Sequence, residues 1–171
     1  MKRLPPHLLV IFFLFGCGGG GGSSPMPEQV VIDNDNNYQG ETCTDTSRIG
    51  MKKCDLKHDN IDRFYYVYIP NNLDSSKSIP VLFAFHGYGS SAIRHLNYTN
   101  YFSVADSNNF IVVYPQGATT ATLSSHWNVG GWTSKSTIKD LDFVDTMIDL
   151  LKDKIQIDES RIYSSGMSNG G

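Results

Sequence analysis

Gly166-Met167-Ser168-Asn169-Gly170-Gly171 constrains the fold of this chain more than any other six residues. G-x-S-x-G fits a sharp turn from a β-strand into a helix, which lifts the serine hydroxyl clear of the sheet. Backbone and helix crowd together at such a turn, so its outer positions are glycine. The pattern alone is weak, since ordinary Gly and Ser frequencies produce it by chance in about one chain in twenty of this length. Context strengthens it. Arg161-Ile162-Tyr163-Ser164-Ser165 reads as a strand running straight into Gly166.

Upstream, residues 63–70 are aromatic and β-branched and end at Pro70, as a strand would. Val81-Leu82-Phe83-Ala84-Phe85 and residues 110–115 are continuous apolar runs, the pattern of strands buried on both faces. A short helix is expected over residues 100–108. A longer one follows Thr137 and Asp140, which have capping-box spacing. Its apolar stripe would be Leu141, Val144, Ile148, Leu151 and Ile155, with Asp142, Asp145, Asp149 and Lys152 facing water. Strands alternating with helices predict an α/β class with a parallel sheet and right-handed crossovers. Ligands bind beyond the carboxyl ends of such strands, where Gly87 and Ser168 both fall.

The N-terminus reads differently. Lys2 and Arg3 precede an unbroken apolar run from Leu8 to Phe15. The run is far short of the ~20 residues of a membrane span, and it fits a signal peptide over residues 1–16. Leu14-Phe15-Gly16-Cys17 resembles the bacterial lipoprotein signal, so Cys17 is the expected lipidation site and membrane anchor. Glycines 18–22 followed by Ser23, Ser24 and Pro25 make residues 17–38 a flexible tether, leaving 39–171 as one partial domain. The expected location is therefore exported, either anchored at the cell surface or outer membrane or secreted.

With Cys17 set aside, Cys43 and Cys54 remain, eleven positions apart in an oxidising compartment. Their pairing closes a loop worth about 3 kcal/mol in chain entropy. Metal binding is disfavoured, because only His58 lies nearby as a further ligand. The formal net charge is −3, and without Lys2 and Arg3 it becomes 12 − 17 = −5. No basic patch stands out, which argues against a nucleic-acid partner.

His86-Gly87-Tyr88-Gly89 closes an earlier strand of the same sheet. An oxyanion hole in such a fold takes one N–H from the residue after the nucleophile and one from that earlier loop. Here those residues are Asn169 and Tyr88, each donor contributing about 3 kcal/mol to transition-state stabilisation. Trp127 and Asn128 sit in a loop at the strand ends. The ring of Trp127 could stack on substrate and Asn128 could bond to it, or Trp127 could pin the loop as a core residue.

In order along the chain, residues 63–70 and 80–89, Ala105-Asp106 with 110–117, Trp127-Asn128, Asp140 with Phe143, and residues 158–163 ahead of 166–171 resemble the secreted polyhydroxybutyrate depolymerase and feruloyl/acetylxylan esterase family. The resemblance implies the N-terminal half of an α/β-hydrolase, with a mostly parallel sheet and helices on both faces. It implies an exported serine carboxylesterase in which Ser168 is the nucleophile of a Ser-His-Asp triad, without cofactor or metal. Its substrates would be polyhydroxyalkanoate, feruloylated or acetylated xylan, or smaller esters. Residues 138–143 depart from the family by keeping one acid of a usual pair.

In that fold the acid and the histidine follow the serine, so the sequence reads as a fragment ending at the nucleophile motif and inactive alone. His86 is expected to pack beneath the oxyanion loop, and His58, His95 and His126 are not expected to serve as base. Two other readings share the turn: an exopeptidase of the same fold, and a surface-anchored binding protein without catalysis.

Overall fold

A computed structural model describes residues 38–171. The expected signal peptide, the expected Cys17 anchor and nearly all of the expected tether lie outside the described residues. Three strands open the domain as an antiparallel meander: β1 (Tyr38–Asp45), β2 (Met51–His58) and β3 (Ile61–Tyr68). Asp59 and Asn60 join β2 to β3 with φ of 50° and 60°, the paired positive values that a tight two-residue hairpin turn requires. Cys43 and Cys54 lie directly opposite in the β1–β2 register and are joined by a disulfide.

The chain then alternates. β4 (Ile79–Phe85) leads to α1 (Ala92–Thr99) and α2 (Phe102–Asn108), then β5 (Ile111–Pro115), α3 (Asp140–Lys152) and β6 (Ile157–Gly166). The six strands form one sheet in the order β1-β2-β3-β5-β4-β6. β4 runs parallel to both β5 and β6, while β3 meets β5 antiparallel. The sheet is therefore mixed. The expected parallel character is confined to β5-β4-β6, because the meander adds three antiparallel pairings.

Side chains alternate across the sheet, and helices cover both faces. Val67, Phe83, Ile111 and Val113 pack under α3 with Phe143, Met147, Leu150 and Leu151. Tyr68, Ala84, Val112 and Tyr114 face the other way, against Ala92 and Leu96 of α1 and Phe102 and Ala105 of α2. Among the described residues no helix is long and apolar enough to cross a membrane.

Three local expectations are corrected. The helix expected over 100–108 is α2, and a further helix, α1, precedes it, ended where Asn100 turns left-handed at φ 47°. The Ser91 side chain caps α1 by accepting the Arg94 N–H at 3.4 Å. α3 has no side-chain cap, because the Asp140 carboxylate turns inward to Arg63. That inward pull rotates the buried face onto Asp140, Phe143, Met147, Leu150 and Leu151, so Leu141, expected in the core, is exposed. Lastly, His58 does not precede the first strand. It ends β2, buried against the Phe143 ring.

Candidate active site

β6 delivers the chain to the turn, and the turn is built as its glycines imply. A Cβ on Gly166 would stand 1.8 Å from the Gly170 carbonyl oxygen. One on Gly170 would meet the Phe85 and His86 oxygens at 2.5 and 2.6 Å. Neither backbone can move aside, so both positions exclude any side chain. Between them Ser168 has φ 54°, a left-handed conformation that is costly for a residue with a Cβ. Strain of this kind at a single serine is what a nucleophile turn imposes.

The loop after β4 closes on this turn. A Cβ at Gly87 would lie 3.5 Å from the Ser168 Cβ and 3.2 Å from the Met167 oxygen, so glycine admits the loop to the serine. Beyond Gly87, the Gly89 N–H is spent on the Ser125 oxygen and the Ser90 N–H on the Gly87 oxygen. That leaves Tyr88 as the loop's candidate N–H donor, matched on the other side by the N–H of Asn169.

A third segment ties the two together. The Asn169 side chain is buried and accepts the Trp127 N–H at 2.8 Å while donating to the Trp127 oxygen at 3.1 Å. The Trp127 indole N–H donates to the His86 oxygen at 2.8 Å. Trp127 thus spans from the serine turn to the base of the Tyr88 loop, with its ring 4% exposed and edge-on to Phe85. Of its two possible roles, this placement is that of a loop pin. Asn128 is similarly engaged: its amide donates to the Ser136 and Ile138 oxygens, and its N–H reaches Asp140 at 2.7 Å. Asp140 is held in turn by the buried Arg63 guanidinium at 2.7 Å, which lies over the Phe143 ring.

No described histidine is placed to activate Ser168. His86 is fully buried, with Nδ1 donating to the Gly87 oxygen and Nε2 accepting the Gly117 N–H. Burial is the main cause of its lowered pKa, which keeps the ring neutral. His126 Nδ1 lies 2.9 Å from the Ser124 oxygen and its Nε2 2.8 Å from the Ser136 hydroxyl. His95 is on α1, not in a loop, and is buried beside Tyr98 and Tyr114. His58 is buried at the end of β2.

The aromatics that do face solvent are Tyr88 and, five positions past Trp127, Trp132. Sequence reasoning passed over Trp132; the Gly130-Gly131 pair before it was the available signal of a special turn. It also missed the Asn169 side chain and Gln116, whose amide bridges the Gly117 oxygen and the Ser125 hydroxyl.

No protein-family model matches the chain. Among curated proteins it is 36% identical over 109 residues to a bifunctional acetylxylan esterase/xylanase of Neocallimastix patriciarum, covering 64% of this chain and 15% of that protein. It is 33% identical over 108 residues to feruloyl esterase B of Thermothelomyces thermophilus, covering 62% and 35%. A polyhydroxybutyrate depolymerase of Talaromyces funiculosus matches at 35% over 75 residues, covering 41% and 22%.

The chain is thus similar in sequence to acetylxylan and feruloyl esterases. It spans about a third or less of the length of these curated relatives. Solved structures agree on the fold. An S-formylglutathione hydrolase from Agrobacterium tumefaciens superposes with a TM-score of 0.53 at 15% identity, over 79% of this chain and 54% of that one. A thermostable esterase gives 0.51 at 17% identity, over 78% and 35%. The described domain has the α/β-hydrolase fold over the span that it shares with these structures.

Proposed function

We propose that this chain carries the nucleophile half of an exported serine carboxylesterase acting on acetylated or feruloylated xylan or related polyesters. The observation that carries the reading is Ser168, at φ 54° on a turn whose neighbours can only be glycine and within contact of the Gly87-Tyr88 loop. Ser168 attacks the ester carbonyl, and the Tyr88 and Asn169 N–H groups hold the oxyanion. Alcohol leaves, and water then frees the acid from the acyl-enzyme. The four described histidines are otherwise engaged or buried, so none of them is assigned as the base. The chemistry requires no cofactor.

Labelling of the full-length protein with a fluorophosphonate tests this. Ser168 takes the label, and Ser168→Ala removes it and lowers ester turnover by several orders of magnitude. Labelling at Ser164 or Ser165 instead would sink the assignment. The apolar run at 8–15 and Cys17 just after it support a reading of the enzyme as exported and held on a lipid anchor. Mass spectrometry of the mature N-terminus checks it, and an unmodified Cys17 would remove the anchor.

A further inference from the structure

Two aromatic side chains, one of them on the loop that meets the serine turn, are held in place and left uncovered. Tyr88 is 44% and Trp132 58% exposed, and their rings meet edge to face with centroids 5.1 Å apart at 75°. Neither is loosely placed. The Tyr88 hydroxyl accepts the Ser124 N–H at 3.2 Å, and the next N–H in the chain, that of Gly89, is bonded to Ser125.

Trp132 sits in a single 3₁₀ turn, Gly131–Thr133. Gly130 and Gly131 enter that turn at φ 73° and 52°. Thr133 is fully buried, and its hydroxyl donates to the Gly130 oxygen at 2.8 Å while accepting the Val129 N–H at 3.0 Å. A buried threonine thus anchors a turn whose effect is to hold a tryptophan out into solvent. Burying that indole would be favourable, and core packing does not account for where it is.

Position supplies the reason. Tyr88 follows Gly87, and Gly87 is in contact with Ser168. The Tyr88 ring, on the loop that meets Ser168, carries Trp132 with it, so both rings belong to the segment that an ester held at the Tyr88 N–H would approach. Exposed aromatic faces with few polar groups around them select flat rings that present a C–H or π face.

The geometry points to Tyr88 and Trp132 as a ring-binding subsite of the esterase. It takes a six-membered ring carried close to the scissile bond on one side of the ester. The inference rests on Ser168 being the reacting serine. Two sources share the required ring chemistry: a pyranose of the polysaccharide on the alcohol side, and a phenylpropenoyl ring on the acyl side. Trp127, buried and bonded, takes no part in it.

Trp127 is buried and Trp132 exposed, so their assigned indole N–H cross-peaks in a heteronuclear NMR titration report on them separately. Xylotriose and methyl ferulate are titrated separately into the protein. A shift of the Trp132 cross-peak alone supports the subsite, and the probe that causes it identifies the source. Trp132→Ala and Tyr88→Ala should each weaken that binding by about tenfold, the scale of one aromatic contact. Neither probe shifting Trp132, or unchanged affinity in Trp132→Ala, would overturn the subsite. Ser168→Ala keeps the shift while losing fluorophosphonate labelling, so failure of the subsite and failure of the esterase reading give different results.

Discussion

Trp127 and Trp132 share one loop and have opposite surroundings. Trp127 is 4% exposed and makes hydrogen bonds through its backbone N–H, its oxygen and its indole N–H. Trp132 is 58% exposed, and its ring touches Tyr88. The first joins three segments of the site into one body; the second is presented by that body. An aromatic near a reacting serine is therefore not a substrate contact by type or by proximity. What decides is whether its polar atoms and its faces are already occupied.

The largest expected difference between the two is in stability. Trp127→Ala empties a packed site and strands the His86 oxygen and is expected to cost about 3–5 kcal/mol. Trp132→Ala removes an exposed ring and stays within about 0.5 kcal/mol. Denaturant unfolding of both variants under one set of conditions measures the pair, and equal losses would end the distinction between pin and platform.

Acid probes the same contrast more gently. The His86 ring lies 5.1 Å from that of Trp127, and its Nε2 must stay unprotonated to accept the Gly117 N–H. Burial lowers its folded pKa below the unfolded value of 6.5. Above that pH both states are neutral and the stability is complete. Below it the unfolded chain takes up a proton that the folded one resists, so stability falls as pH drops from 6.5 towards the folded pKa. His58 and His95, also lowered mainly by burial, add to the slope. Unfolding midpoints measured from pH 7.5 downward should fall, less steeply in His86→Gln. A flat profile would mean that His86 is not held neutral beneath Trp127.

What the sequence made legible follows from how each element is buried. β4 and β5 were readable because both faces are covered, which leaves an unbroken apolar run in each. β2 was not: Met51-Lys52-Lys53-Cys54-Asp55-Leu56-Lys57-His58 buries alternate parts of one face, and its lysines read as loop. The Asp59-Asn60 turn was its one strong signal. The α3 stripe was misplaced by a turn's fraction because a hydrophobic tally cannot see Asp140 paired with an arginine 77 positions away. In the site, Ser168, Gly87 and Tyr88 came from local pattern, and Gly87 lies against Ser168. The facing of Trp127 depends on hydrogen bonds to Asn169 and His86, 42 and 41 positions distant, and no local pattern encodes it.

The glycines of the serine turn bear on how this sequence would drift. Gly166 and Gly170 are required by backbone atoms less than 3 Å from where a Cβ would stand, so foldability alone preserves them. Ser168 is different, since its left-handed backbone is a burden that only chemistry justifies. In a lineage that had abandoned hydrolysis, the flanking glycines would persist while the residue between them wandered, glycine and asparagine first. The serine, and not the surrounding glycine pattern, is therefore the position at which retained catalysis can be told apart from a retained fold.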